Sequence, residues 1–314
     1  MKGLELAEEY YLQYGKKLLD EERFEQIRPY TCCALIGSGS ECLGYDDEIS
    51  ADHDLEPGFI IFIPGEETVT RRDAFLLERA YAGLPKEFAG SKRTMLAPVG
   101  GQRHGVIRIP EFMQEKTGTE DGILTDKIWL TIPEQSLLEV TGGRIFDDRY
   151  GEMTRIRQHL SYYPERIWKK KLAGHLLLMG QSGQYNYRRC IAHGETGAAQ
   201  LAAYEFVQHT MAAVFILNRR YRPYYKWCFR AMRELEQLSL LAELMEYLIT
   251  TDNEQEIAGD KADVIESVSA DIIGLLIEQG ISGAVCGDLE KHAYSVNDSI
   301  DDAEIRNMHI LAAV

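Results

Sequence analysis

The residues whose types and spacing suit chemistry are Gly37-Ser38-Gly39-Ser40 and, after a short spacer, Asp52 and Asp54. The run Cys32–Ile36 is apolar and reads as a buried strand that breaks at once into small residues. Glycine and serine at such a break let backbone N–H groups come close to a phosphate, as in other anion-cradling loops. Two carboxylates at i and i+2 on an extended segment point to one face. Paired oxygen donors of that kind suit a hard divalent cation such as Mg²⁺ carrying a nucleotide's phosphates. Loop and acids together point to metal-assisted phosphoryl or nucleotidyl transfer.

Other phosphate motifs fit less well. Gly37-Ser38-Gly39-Ser40-Glu41-Cys42 lacks the third glycine or alanine of a dinucleotide fingerprint, and no Gly-Lys-Ser/Thr follows as in a Walker loop. His53-Asp54 superficially suits an HD phosphohydrolase, but no histidine precedes His53 to supply the first ligand. The pair Gly37-Ser38 with Asp52-His53-Asp54, flanked by Gly44 and Ser50, resembles the signature of the nucleotidyltransferase superfamily, the DNA polymerase beta-like fold. Over most of its length the chain is similar to an uncharacterised bacterial group with this core and a helical C-terminal region. The stretches Arg103-His104-Gly105-Val106, Ser182–Tyr187 and Leu217–Tyr221 carry that likeness.

The resemblance implies transfer of a nucleoside monophosphate from an NTP to an acceptor hydroxyl, with release of pyrophosphate. Gly37, Ser38 and Ser40 would hold phosphates, and Asp52 and Asp54 would bind one or two Mg²⁺ ions. Aminoglycoside-modifying relatives imply that the helical domain selects the acceptor, here a small hydroxylated molecule. In the superfamily a third carboxylate comes from a neighbouring strand, expected here at residues 105–109. That strand carries Arg108 instead of an acid, so Glu111 just beyond Pro110 is the expected third acid, with Asp126 and Asp147 as further options. The same departure supports an alternative: a catalytically weak or inactive nucleotide-binding regulator, or a toxin–antitoxin-type partner protein.

The elements that must position these residues follow from the apolar pattern. Residues 3–28 read as a helix, Gly58–Ile63 as a strand ended by Pro64-Gly65, 68–82 as a helix and 97–101 as a loop. Residues 105–109 read as a strand and 133–138 as a helix with proline in its first turn. This alternation predicts an α/β or α+β domain over 1–150, built on a mixed sheet with flanking helices. From 151 to 314 the periodicity is helical, with helices expected over 149–161, 165–180, 196–218, 224–250 and 261–279.

Two segments of the helical half stand out. Ser182–Arg189 gathers tyrosines, Asn186 and two arginines in an expected turn, and Asn218–Lys226 interleaves Arg219, Arg220, Arg222 and Lys226 with tyrosines. Arginine forks onto phosphate and aromatics stack on flat rings, so Arg219, Arg220 and Lys226 are expected to grip the nucleotide. The bland reading of the same residues is a salt-bridge seam with apolar stems.

Composition limits the partners. The formal net charge is −16, and residues 252–304 hold fourteen acids against Lys261 and Lys291, which disfavours a nucleic-acid surface. No apolar run approaches the roughly 18 residues of a membrane span, and Met1-Lys2-Gly3-Leu4-Glu5 lacks the build of a signal peptide. Six cysteines without Cys-x-x-Cys spacing suit a reducing cytoplasm rather than zinc or a disulfide framework.

Overall fold

The computed structural model describes residues 1–47, 56–93 and 104–314. They divide into two compact units, Met1–Thr125 with Ile132–Ser161, and Asp126–Thr131 with Tyr162–Val314.

The first unit is mixed α/β. Its strands are β1 (Cys32–Leu35), β2 (Ile60–Ile63), β3 (Glu87–Phe88), β4 (Ser91–Lys92), β5 (Gly105–Arg108) and β6 (Arg144–Asp148). Four form one sheet in the order β5-β2-β1-β6, while β3 and β4 make a small separate ladder. β1 runs antiparallel to both neighbours, with Cys33 opposite Ile61 and Leu35 opposite Arg144, and β2 runs parallel to β5. β1 and β2 are buried along their whole length, because both faces of the sheet are covered. That explains why they read as unbroken apolar runs rather than as alternating strands. Cys33, Phe59, Ile61 and Ile63 face a cluster with Tyr10, Tyr11, Leu19, Leu77 and Tyr81, whereas Phe62 on the other face meets the Phe112 ring edge-on at 5.1 Å.

The N-terminal segment departs from one long helix. It is helical from Gly3 to Leu19 with a wider π turn at Tyr11–Gly15, then continues as short 3₁₀ turns to Tyr30. The expected strand 105–109 ends at Arg108, since Ile109-Pro110 already begins the next helix, Ile109–Thr117. β6 was not expected from the sequence. Its residues are exposed or half-buried, so it lacks the apolar run that marks a central strand.

The second unit is helical. Its central element, Thr196–Leu217, is buried all round from Thr210 to Leu217, as a helix enclosed by others must be. The helices Glu165–Met179, Tyr225–Arg233, Leu241–Thr250, Gln255–Glu278 and Leu289–Asp298 belong to the same unit. The expected helix 224–250 is therefore two, and the expected turn at Ser182–Arg189 is helical: a π segment, Gly180–Tyr187, running into Arg188–Ala192. Close packing overrides the weak helix propensity there, because a Cβ on Gly183 would overlap the Phe206 ring. Buried ammonium groups are satisfied by oxygens. Lys170 Nζ donates to Asn297 Oδ1 (2.8 Å) and the Met308 carbonyl (2.7 Å), and Lys261 Nζ to Gln200 Oε1 (2.9 Å) and the Thr251 carbonyl (3.1 Å).

The imidazoles of His175 and His209 meet within this unit, Nδ1 to Nδ1, at 2.9 Å. Burial, followed for His175 by its partner and the Arg222 and Lys171 cations, holds its pKa well below the usual histidine range. Burial and Arg222 lower His209 to about 4. Folded protein thus keeps both rings neutral where the unfolded chain takes up protons near pH 6.5, so stability is full above that pH and falls as the pH drops toward 4. The loss is at most about 1.4 kcal/mol per pH unit for each ring. The melting temperature should fall between pH 7 and pH 5, and His209→Gln should flatten that dependence. An unchanged pH dependence in the variant would show that the pair does not carry it.

Candidate functional site

β1 delivers the chain to the loop at Gly37–Ser40. Gly37 and Gly39 have φ of +119° and +130°, backbone that side-chain-bearing residues rarely adopt. Among the described residues a Cβ on Gly37 would meet nothing within 4 Å, whereas a Cβ on Gly39 would overlap the Glu41 carboxylate. The chain then makes one short helix, Ser40–Leu43, ended by Gly44 with φ +74°. Ser38 is half-buried, while Ser40 and Glu41 are only 6% and 3% exposed. The Ser40 hydroxyl has no hydrogen-bond partner among the described residues.

Asp52 and Asp54 lie outside the described residues, which resume at Glu56. Arg93, itself buried between the Tyr10 and Tyr81 rings, donates from Nε and Nη2 to the Pro57 carbonyl (3.0 and 2.8 Å) and from Nη2 to the Tyr10 hydroxyl (3.1 Å). The Tyr81 hydroxyl accepts from Phe59 N–H (3.0 Å) and donates to the Phe59 carbonyl (2.7 Å). The segment entering β2 is thereby pinned on both sides. Glu56 meets His104, Oε2 to Nε2 at 3.3 Å, and burial, with Arg93 adding to it, lowers the His104 pKa against the opposing pull of Glu56.

Strand direction decides which residues share a site. Because β1 is antiparallel to β2 and β2 parallel to β5, the end of β1 and the starts of β2 and β5 fall at one end of the sheet. The Gly37–Ser40 loop, Glu56 and His104 are therefore together at that end.

Glu111 is at the other. It follows the end of β5 and is exposed on the rim of a cleft of about 530 Å³ lined also by Glu66, Glu67, Glu78 and Arg108. The structure does not bring Glu111 to the loop. Asp147 lies opposite Cys33, toward the start of β1, where it accepts from the Tyr11 hydroxyl (3.1 Å) and Arg149 Nε (2.8 Å). Asp126 belongs to the helical unit, forked onto Arg166 at 2.5 and 2.9 Å. Glu56 is the acid that the sequence reading missed. Its signal was present: Asp52, Asp54 and Glu56 continue one i, i+2 alternation.

The basic–aromatic segment of the helical unit separates into distinct roles. Arg219, at φ +54°, lays its guanidinium 3.4 Å over the Trp168 ring. Arg222 donates to the Gln208 carbonyl at 3.0 Å. Arg220 and Lys226 are exposed, the Lys226 ammonium standing 4.9 Å over Trp227. Tyr221 is core, stacked on Tyr162 at 5.4 Å. No group of three or more His, Cys, Asp or Glu among the described residues is arranged to hold a metal ion, and no described helix is long and apolar enough to cross a membrane.

Residues 129–228 match the family profile described as a domain of unknown function, DUF4037. No curated protein matches the chain significantly. Among solved structures, the chain is similar to a nucleotidyltransferase-like protein from Exiguobacterium sibiricum 255-15, at 10% identity and a TM-score of 0.39, over 92% of this chain and 80% of that one.

The Arg93 clamp has a measurable consequence. Arg93→Met leaves the buried Pro57 carbonyl without its charged donor, which should cost about 1.5–3 kcal/mol. The Phe59 amide should also exchange faster with deuterium. Unchanged stability and exchange would mean that the segment ahead of β2 is held by something else.

Proposed function

We propose that this chain is a nucleotidyltransferase, moving a nucleoside monophosphate from an NTP to the hydroxyl of a small acceptor. The observation that carries the reading is the positive-φ backbone at Gly37, uncrowded among the described residues and set at the sheet end where β2 begins. Gly37 and Ser38 would present N–H groups and a hydroxyl to the phosphates. Asp52 and Asp54 would hold one or two Mg²⁺ ions, since paired carboxylate oxygens suit that hard cation with its phosphate load. Bound there, Mg²⁺ neutralises charge on the transferred phosphate. Because Ser40 is buried, its role in this reading is to shape the loop rather than to touch the nucleotide.

A second reading keeps nucleotide binding without turnover, as in a regulator or a toxin–antitoxin-type partner. One observation favours it: between Glu87 and Glu111 the sequence has no carboxylate, so β5 and its entry bring none to the loop.

Titration of purified protein with each NTP, with and without Mg²⁺, followed by a screen of hydroxylated acceptors for pyrophosphate release, separates the two readings. Asp52→Asn and Asp54→Asn should each abolish Mg²⁺-dependent binding or transfer, with rate losses of several orders of magnitude, roughly 10²–10³ or more. Gly37→Val should block phosphate approach, while Glu111→Gln should leave nucleotide affinity at the wild-type level. Wild-type Mg²⁺ dependence in either aspartate variant would refute the site.

The exposed cations of the helical unit enter the same proposal. Arg219 lies over Trp168 and Lys226 over Trp227, and Arg220 and Lys226 are exposed cations of the helical unit that we assign to nucleotide binding. Arg220→Ala and Lys226→Ala should weaken NTP binding, and more so at low salt, where screening is least. A lower melting temperature with unchanged affinity would assign them to structure instead.

A further inference from the structure

The proposed phosphate loop is bracketed by two residues, Leu35 at the end of β1 and Cys42 in the short helix that follows, and one turn touches both. Gly143 donates its N–H to the Cys42 carbonyl at 2.8 Å. The same residue, at φ +66°, is packed so tightly on β1 that a Cβ would overlap the Leu35 carbonyl. Its neighbour Gly142 is equally confined: a Cβ there would stand 2.7 Å from the Leu138 carbonyl and 3.4 Å from that of Cys42. The Gly142-Gly143 turn is thus a backbone wedge between the two stems of the Gly37–Ser40 loop.

The wedge is itself held by one side chain. Arg157, on the helix Glu152–His159, aims Nη2 at three successive carbonyls, Thr141 at 2.5 Å, Gly142 at 2.8 Å and Gly143 at 3.4 Å. Three carbonyl oxygens turned toward one point repel each other unless a cation stands there, and guanidinium is the side chain that stays charged when half-buried. All of these residues belong to the first unit.

We propose that Arg157 is a positioning residue for nucleotide binding: through the Gly142-Gly143 wedge it sets the separation of Leu35 and Cys42, and with it the direction of the N–H groups at Gly37 and Ser38. The inference rests on the reading of that loop as the phosphate site. Arg157 touches neither nucleotide nor metal in this role.

The test compares wild type, Arg157→Gln and Arg157→Lys in calorimetric titrations with MgATP, or with whichever NTP the wild type prefers, at a temperature where circular dichroism shows all three folded. Arg157→Gln should weaken binding on the order of tenfold, the effect of about one charge-assisted hydrogen bond. Arg157→Lys keeps the charge without the planar fork, so its affinity should fall between the other two. Millimolar guanidinium chloride, well below denaturing concentrations, should restore part of the affinity of Arg157→Gln. Hydrogen exchange should be faster at Gly37–Ser40 in Arg157→Gln than in wild type. A merely structural role lowers the melting temperature but leaves the affinity of the folded protein unchanged, and that result overturns the inference while leaving the phosphate-loop reading intact. Full recovery in Arg157→Lys also overturns it, since simple charge would then suffice. A wild type that binds no NTP removes both readings together, and it does so before any variant is made.

Discussion

The antiparallel pairing of Cys32–Leu35 with Ile60–Ile63 is the constraint on which the first unit depends. It makes the chain leave β1 and re-enter β2 at the same end of the sheet. The glycine loop, the chain that leads out of the Asp52–Asp54 segment and the start of β5 are thus gathered by backbone hydrogen bonds alone. The pairing holds because both strands are buried on both faces, where an unpaired backbone group would cost far more than a paired one. The same geometry sends Arg108 and Glu111 to the far end. No side-chain rearrangement reverses that, since a sheet of four-residue strands is about 13 Å long at 3.3 Å per residue.

A second theme runs through both units. In a chain of net charge −16, several cations are turned inward onto carbonyl oxygens rather than outward into surface ion pairs. Arg93 holds the Pro57 carbonyl, Arg157 the Thr141 and Gly142 carbonyls, Lys170 the Met308 carbonyl and Lys171 the Leu130 carbonyl. Each fixes a place where the chain leaves regular structure and its acceptors have lost their usual donors. Surface ion pairs such as Lys92–Glu87 contribute little by comparison, because water and salt screen them. Inward placement of basic side chains also removes them from the surface, which leaves the exterior more acidic than composition alone suggests.

Much of this molecule was legible in the residue order. Cys32–Ile36 and Gly58–Ile63 read as buried strands because continuous apolar runs bounded by glycine and proline have few other uses. The loop between them stood out because two glycines and two serines cannot continue a core strand. The helical second half followed from its 3.6-residue periodicity. β6 was hidden because an edge strand with polar residues lacks a distinctive pattern, and Ser182–Arg189 read as a turn because glycine and serine are poor helix formers. Both were decided by neighbours: β1 supplied the hydrogen-bond partner for Arg144–Asp148, and the Phe206 ring required a glycine beside it.

The sequence by itself therefore determined the buried central strands, the mixed α/β and helical character of the two units and the residue types that suit phosphate and metal chemistry, since periodicity and steric freedom are local properties. Only the tertiary structure decided which of those residues meet. Glu111 follows β5 closely in sequence yet belongs to the other end of the sheet, while Glu56 and His104, 48 positions apart, form a pair at the end of the sheet where the loop leaves β1. Arg157 showed no motif at all, and its importance arises from three carbonyls that converge only after the chain has folded. The physical reason is the same in each case: strand direction and backbone pairing are long-range choices, and linear spacing does not encode the end of a sheet to which a side chain is delivered.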